Sequence, residues 1–488
     1  MSYQHPDDPN LKNLHKAMEY NDSTGEPRIR VNAEGVTITG DVSVDSVTID
    51  NTLANPVPVN ITNAELEIVN DANKPLPVIG TTINPWGNPV LQVDDDTVQH
   101  TSKNRRKISS YEIVQFNTFQ HGDDSEIWDS QLTGTASAGH EPYLGMIKMS
   151  VGSTTGDSVI RQTRRVIPYT PGRANEVSMA VRFTTPTGGV RRRFGAFDEN
   201  NGAFFEDGGD GTYYVVCRRN TASGPVDERV ARENWNIDPL DGNGPSGITA
   251  DPTTIQLMLI EYEWYGAGHV EFKFVIGNNA IAVHEFSHAN VVEHTWSATP
   301  FLPVRAELTN VTGTAGTHDF YVGSTSVSAE GNSGPRGIEF NANSPITGKT
   351  TPNTANTFIP VASIRMQSDK LGSCINPLEF QAATLDNTGV FYRIVLNPVL
   401  ENADWNPVGN GSYCEYDIAA TGQTSGKILK SGYISPNNQG NLIYFSDEVL
   451  NQLGRTNMGT VSDILTIEIA TVTGNKDAFA NLNWIEVR

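Results

Sequence analysis

The chain is short of cationic side chains, of cysteine and of long apolar runs, and each shortage removes a class of function. It carries 34 Lys and Arg against 56 Asp and Glu, a formal charge of −22. Phosphate backbones are bound by clustered cations, so this balance argues against a nucleic-acid surface. The three cysteines, Cys217, Cys374 and Cys414, are odd in number and widely spaced, in runs such as Tyr213-Tyr214-Val215-Val216-Cys217. They read as buried thiols rather than as disulfides or a metal site. No apolar run approaches ~20 residues, which leaves no membrane span. The start, Met1-Ser2-Tyr3-Gln4-His5-Pro6, has no signal-peptide pattern, so synthesis in a cytoplasm is expected. Only 18% of the chain is charged and 8% aromatic, while Gly and Pro are near ordinary usage, which excludes collagen-like and disordered classes. What is plentiful is Thr, Asn, Val and Ser, the mixture that many short strands and tight turns require. With 488 residues there is room for two or three domains.

The segment from Val36 to Val93 repeats one phrase three times: Asn55-Pro56-Val57-Pro58-Val59, Asn73-Lys74-Pro75-Leu76-Pro77-Val78 and Asn88-Pro89-Val90-Leu91-Gln92-Val93. Val57, Val59 and Ile61 alternate with Pro58 and Asn60, so one face is apolar. The prolines delete ladder donors and confine these strands to edges or very short pairings. Identical copies wound about one axis would bury the faces carrying Val57, Val59, Ile61, Leu76, Val78 and Val90, which predicts a trimeric shaft or collar over residues 31–106. Ahead of it, Leu11, Leu14 and Met18 have helical spacing and predict a short helix in an anchor arm, residues 1–30. Three turns alone in water are marginal, so the arm would order against a partner.

From Lys107 onward the pattern is antiparallel β. Val177 to Phe183 alternates in and out. Arg193-Phe194-Gly195-Ala196-Phe197 returns through an Asn201-Gly202 turn to Ala203-Phe204-Phe205, and His269 to Ile276 returns through Gly277-Asn278-Asn279 to Ala280–His284. Asn236 to Pro252 is a long turn-rich excursion of the kind that is functional or interfacial. Beyond a glycine-rich joint at 331–337, Phe358–Ile364, Val390–Leu396, Leu465–Ile469 and Asn483–Val487 read as strands. One helix is predicted from Ser446 to Gly454. The expected fold class is all-β: the arm and short-stranded trimeric shaft, then two β-sandwich (jelly-roll-like) domains at 107–330 and 338–488.

Four constellations carry possible chemistry. His284-Glu285-Phe286-Ser287-His288, followed by His294, satisfies the zinc-protease pattern, which needs a helix to bring its histidines together. Here the preceding residues are the return strand of a hairpin, where four residues span ~13 Å, and the turn position that needs glycine is Val291. Hairpin histidines are the reading adopted. Glu261 and Glu263 share a strand face at ~7 Å and suit glycoside hydrolysis. Alternation with inward Ile260, Tyr262 and Trp264 already explains every residue, and an outward polar face is the reading adopted. Asp198 to Asp210 lacks the ordered ligand spacing of a calcium loop and is accounted for by hairpin turns. The arginines Arg191-Arg192-Arg193, with Arg164-Arg165, are expected to pair with acidic neighbours across a subunit interface.

Several phrases, taken in order, resemble virion structural proteins of tailed bacteriophages, of the kind found in marine and cyanobacterial phages. They are Val159-Ile160-Arg161-Gln162-Thr163-Arg164-Arg165-Val166-Ile167-Pro168-Tyr169-Thr170-Pro171-Gly172-Arg173, Arg193 to Glu206, Gly244-Pro245-Ser246-Gly247, Tyr262-Glu263-Trp264 and His284 to Asn290. The likeness covers most of Lys107 to Arg488, and the Asn-Pro-Val-Pro-Val phrase is similar to phage fibre and collar proteins. The resemblance implies a structural role with no catalytic residues to carry over. The expectation is a component of the virion exterior, a homotrimeric fibre or tail or baseplate appendage. It is expected not to be an enzyme, with no cofactor, metal or catalytic residue. Its partners would be its own copies, and other virion proteins held through Leu11, Leu14 and Met18. The alternatives are a head- or neck-attached fibre or decoration protein and an adhesin for a host surface glycan. A glycan depolymerase or zinc hydrolase comes last.

Overall fold

A computed structural model of the chain describes residues 111–277, 279–331, 337–384, 387–436, 443–445 and 452–488, with the backbone of four short strands nearer the start. The chain divides into a unit Met1–Asp94 and a unit Asp95–Arg488. In the first, Met18–Tyr20 pairs with Pro27–Ile29 and Thr81–Ile83 with Pro89–Leu91, both antiparallel. Met18 therefore opens a strand, and the helical spacing does not reach its third member. Cross-strand pairing, with Glu19 opposite Arg28, supplies backbone partners that a solitary short helix cannot secure against water. Val90 lies in a strand; Leu11, Leu14, Val57, Val59, Ile61, Leu76 and Val78 fall outside the described residues.

The second unit is all-β. It has no α-helix among the described residues, and Arg232–Asn234 is a 3-10 turn. The expected helix from Ser446 falls largely outside the described residues, and Leu453 and Gly454 at its end are non-helical. No helix among the described residues is long and apolar enough to cross a membrane.

Two sheets face each other over residues 111–330. One has eight strands, in the order Asn279–Ser287, His269–Ile276, Gln256–Tyr262, Asn175–Arg182, His318–Glu330, Met146–Val151 and Ser137–Glu141, with Tyr111–Asn117 also paired to His318–Glu330. The other runs Gly224–Ala231, Tyr213–Thr221, Gly202–Asp207, Val190–Phe197, Val304–Asn310, Ser158–Thr163 and Trp128–Thr133. Alternation decides which face is buried: Val177, Met179 and Val181 enter the core, and Glu176, Ser178 and Ala180 do not. Phe205 of the seven-stranded sheet meets Phe272 and Phe274 of the eight-stranded sheet edge-on, at 5.0 and 5.4 Å between ring centroids. The Asn-Gly hairpin forms as expected. Gly202 sits at φ +130, where a Cβ would strike the Phe197 backbone.

A second core spans residues 342–484. Here a five-stranded sheet is built on Asp477–Val487, which pairs with both Ile338–Asn343 and Cys374–Thr384. Opposite lies a six-stranded sheet: Asn406–Pro407, Cys414–Asp417, Ile359–Met366, Leu465–Thr471, Val390–Leu396 and Lys427–Ile434. Phe380 meets Tyr392 across the gap at 5.2 Å. The three cysteines are free and buried.

The two sandwiches are joined by a polar seam. Gln452, 3 % exposed, accepts the Val166 N–H at its amide oxygen (2.9 Å), and its amide nitrogen donates to Cys374 Sγ (2.8 Å). Arg165 Nε donates to the Gln452 carbonyl and Arg455 N–H to the Arg164 carbonyl. Satisfied, buried backbone groups of this kind fix the relative position of two layers, because separating them would strand each donor.

Candidate functional site

The histidine pattern lies on strand Asn279–Ser287, not on a helix. His284 Nδ1 accepts the Asn236 N–H (3.1 Å), and His288 Nδ1 bonds the Gly268 carbonyl (2.7 Å) while its ring stacks on Trp296. Asn236 also donates to the Glu285 carbonyl and accepts the Glu285 N–H. The long excursion thus closes the sheet edge at this strand, a standard means of blocking unwanted strand pairing. Burial pushes the His284 pKa down to about 4 and that of His288 down as well. In both, the unfolded chain takes up a proton before the folded one does. Stability is expected to be full above about pH 6.5, to fall as pH drops towards 4, and to level off below, losing about 2–3 kcal/mol through His284. Urea midpoints across this window check it: His284→Asn, which keeps an acceptor but does not titrate, should show a shallower pH slope, and an unchanged slope would contradict the assignment.

Glu261 belongs to a row that crosses the outer face of the eight-stranded sheet. Register sets Glu176 opposite Glu261, Glu261 opposite Glu271 and Glu271 opposite Glu285. Like charges facing each other work against the sheet. Lys273 stands between two of them, 2.5 Å from Glu261 and 2.9 Å from Glu271. Burial alone would lower the Lys273 pKa, but the two carboxylates outweigh it and hold it above its ordinary value. Tyr111 donates to Glu261 from an edge strand three places along the sheet, and its own pKa is raised by burial and by that carboxylate. Ile260 and Tyr262 point into the core as alternation requires, yet Glu261 and Glu263 are 3 % and 5 % exposed. The expected solvated outer face is therefore a covered one.

Of the five arginines expected to pair across a subunit interface, Arg192 and Arg193 find acidic partners within the chain instead. Register on the outer face of the seven-stranded sheet sets Arg193 opposite both Glu206 and Glu307. Arg193 is 2.5 Å from Glu206, which also takes Arg229, and Arg218 is bidentate on Asp227 at 2.7 and 2.9 Å. Arg192 faces inward to Asp207 (2.6 Å). Asp198, Asp207 and Asp210 each accept backbone N–H groups two or three residues on, so this acidic stretch builds turns.

A different kind of surface lies at the edge of the six-stranded sheet. Tyr392 and Ile394 face the core, so Phe391 and Arg393 face outward. Register places Phe391 opposite Tyr433, and Arg393 opposite Ser431 and Glu468. Tyr433 is 82 % exposed, and its ring meets Phe391 edge-on at 4.7 Å. The Arg393 guanidinium lies 3.6 Å over the Phe358 ring, with Nη2 2.9 Å from Glu468 Oε2. Glu468 is fully buried, its pKa raised by burial in spite of Arg393. Glu468 Oε1 and Arg393 Nε, both buried, have no hydrogen-bond partner among the described residues. The result is an exposed tyrosine on a half-buried phenylalanine, beside a planar cation held in place from below. Such a corner suits a sugar: the ring's C–H face lies on the aromatics while hydroxyls meet the guanidinium and Ser431. Alternation alone put Phe391 and Arg393 on one face; nothing in the sequence said which face stays open.

No protein-family model matches the chain, and no curated protein matches it. Similar solved structures include a glycoside hydrolase family 16 endo-glucanase from Bacteroides ovatus (9% identity, 44% of this chain and 100% of that one, TM-score 0.31). A putative β-glucanase from Mycobacterium abscessus is comparable (10% identity, 44% and 100%, TM-score 0.32). So is the CBM2 module of the evolved Dit of Lactobacillus casei BL23 phage J-1 (10% identity, 46% and 98%, TM-score 0.33). Glycoside hydrolases recur among these structures, and on that finding the expectation that the chain is not an enzyme is withdrawn.

Proposed function

We propose that this chain is a component of a tailed-phage virion, a homotrimeric appendage on the particle exterior whose C-terminal sandwich engages a surface glycan. The observation that carries the glycan reading is the Tyr433–Phe391 corner with Arg393 fixed by the buried Glu468. Tyr433 stands 82 % exposed on a half-buried Phe391, beside a guanidinium held by Glu468, and no packing role within the described residues explains its exposure. The virion reading is supported by the ordered phrases from Val159 to Asn290 and by the repeated proline phrases that precede two locked sandwiches. In this reading residues 1–30 attach the appendage to another virion protein, and residues 31–106 join the copies.

A second reading concerns cleavage. Glu261 and Glu271 stand opposite each other on neighbouring strands, bridged by Lys273 on the covered outer face, and a carboxylate pair is what glycoside hydrolysis uses. Release of new reducing ends from a bound glycan, abolished by Glu261→Gln, would establish it.

The test uses particles. Phage carrying Tyr433→Ala and Phe391→Ala in this chain should assemble with the protein present by mass spectrometry and should adsorb to host cells at least roughly tenfold more slowly, the loss of about 1.4 kcal/mol. Absence of the chain from purified particles, or unchanged adsorption, would count against the proposal.

A further inference from the structure

Strand Tyr111–Asn117 presents two apolar side chains that its own sandwich does not use. Ile113 is 64 % and Phe116 60 % exposed. Residues three apart on a regular strand face opposite sides of a sheet. Here Ser328 pairs with Ile113 and Val327 with Gln115, so Val114 is an extra residue, and the bulge turns both Ile113 and Phe116 to the outer face. Val114 and Gln115 are buried in exchange. The surface beneath is low: Phe116 stands opposite Ser326 and Ile113 opposite Ser328, and Ser326 stands opposite Ser178 in turn. The strand hangs on one side of His318–Glu330 and carries no further strand among the described residues. Edge bulges ordinarily turn an edge away from partners. This one displays an isoleucine and a phenylalanine.

We infer that this strand is a contact between copies of the chain, made through Ile113 and Phe116; the inference rests on the oligomeric part of the reading above. It is the first described strand after the unit Met1–Asp94. In the reading above residues 31–106 join the copies, and only residues 107–110 separate that junction from Tyr111 in the chain. Each copy carries a charge of −22, so copies repel and a contact that holds them must be apolar. The patch is far smaller than the ~800 Å² per partner of a stable interface. It adds to an association founded elsewhere in the chain.

The test is sedimentation velocity of the full chain over a dilution series. The wild type is expected to sediment as a trimer that dissociates on dilution. Ile113→Thr with Phe116→Thr keeps strand-forming side chains and should dissociate at a concentration at least roughly tenfold higher, with an unchanged thermal melt. Equal dissociation of both chains would overturn this contact and leave the trimer standing. A wild type that is monomeric throughout would overturn the oligomeric reading itself. A second readout stands if the threonine variant melts early. Phe116→Cys adds an exposed thiol to a chain whose three cysteines are buried, and treatment with diamide, which takes up the two electrons and two protons released by a thiol pair, should link copies. A Phe116→Cys chain that stays unlinked on denaturing gels would overturn the contact.

Discussion

An Asp207→Ala chain should unfold about 3–5 kcal/mol more easily than the wild type, because it leaves a guanidinium charge buried without its partner. Arg192 is 1 % exposed and Asp207 fully buried, with Nη1 and Oδ2 at 2.6 Å. Arg192 also donates to the Asp319 carbonyl and to Thr184 Oγ1, which leaves it nowhere to withdraw. The pair is not a strong net stabiliser. Burial raises the Asp207 pKa in spite of the neighbouring Arg192, so the ionised carboxylate is costly where it stands. That gives the prediction its second half. Arg192→Met with Asp207→Leu removes both charges at similar volume and should recover most of the loss, since apolar replacement of a buried pair is often neutral or better. Urea unfolding of the three chains separates the cases. A double variant no more stable than Asp207→Ala would show that the pair is worth more than its desolvation.

The Tyr433→Ala, Phe391→Ala chain should lose about a hundredfold in affinity for the glycan the wild type binds, roughly tenfold for each ring at 1.4 kcal/mol per factor of ten. Tyr433 is 82 % exposed, so its removal costs the fold little while its ring is the largest contact the site offers. Phe391 orients it from the adjacent strand. Arg393→Lys should be less forgiving than a conserved charge suggests. A lysine keeps the charge but loses the flat guanidinium that lies on Phe358 and bridges to Glu468. A melt close to wild type for the aromatic variant, together with lost binding, distinguishes a contact residue from a structural one.

The strands were legible because their side chains alternate. Val177, Met179 and Val181 enter the core on a period of two, and the turn Asp198 to Asn201, ahead of Gly202, closes the hairpin. What the sequence could not convey is what lies over a sheet's outer face. Glu261 alternates like a solvated residue, yet it is covered and bonded by Tyr111, 150 positions away in the chain. Arg193 reads as a cation in search of a partner, and only the strand order reveals Glu206 and Glu307 beside it. The seam between sandwiches depends on Gln452, a residue without motif or period, meeting Val166 286 positions earlier. Local spacing also misled at Met18, where a pairing partner at Ile29 took precedence over a helical stripe. Tyr433, Arg393 and Glu468 were invisible as a site for the same reason: they come from three strands, and only the strand order brings an exposed tyrosine beside an arginine held on a buried glutamate.

The central claim is that the open face at Tyr433 binds sugar, and calorimetric titration of the full chain with host surface polysaccharide tests it most directly. The wild type should give a saturable isotherm that weakens about a hundredfold in the Tyr433→Ala, Phe391→Ala chain, while the Ile113→Thr, Phe116→Thr chain keeps the wild-type affinity per subunit. No heat with the wild type, or equal isotherms for the wild type and the aromatic variant, would contradict it.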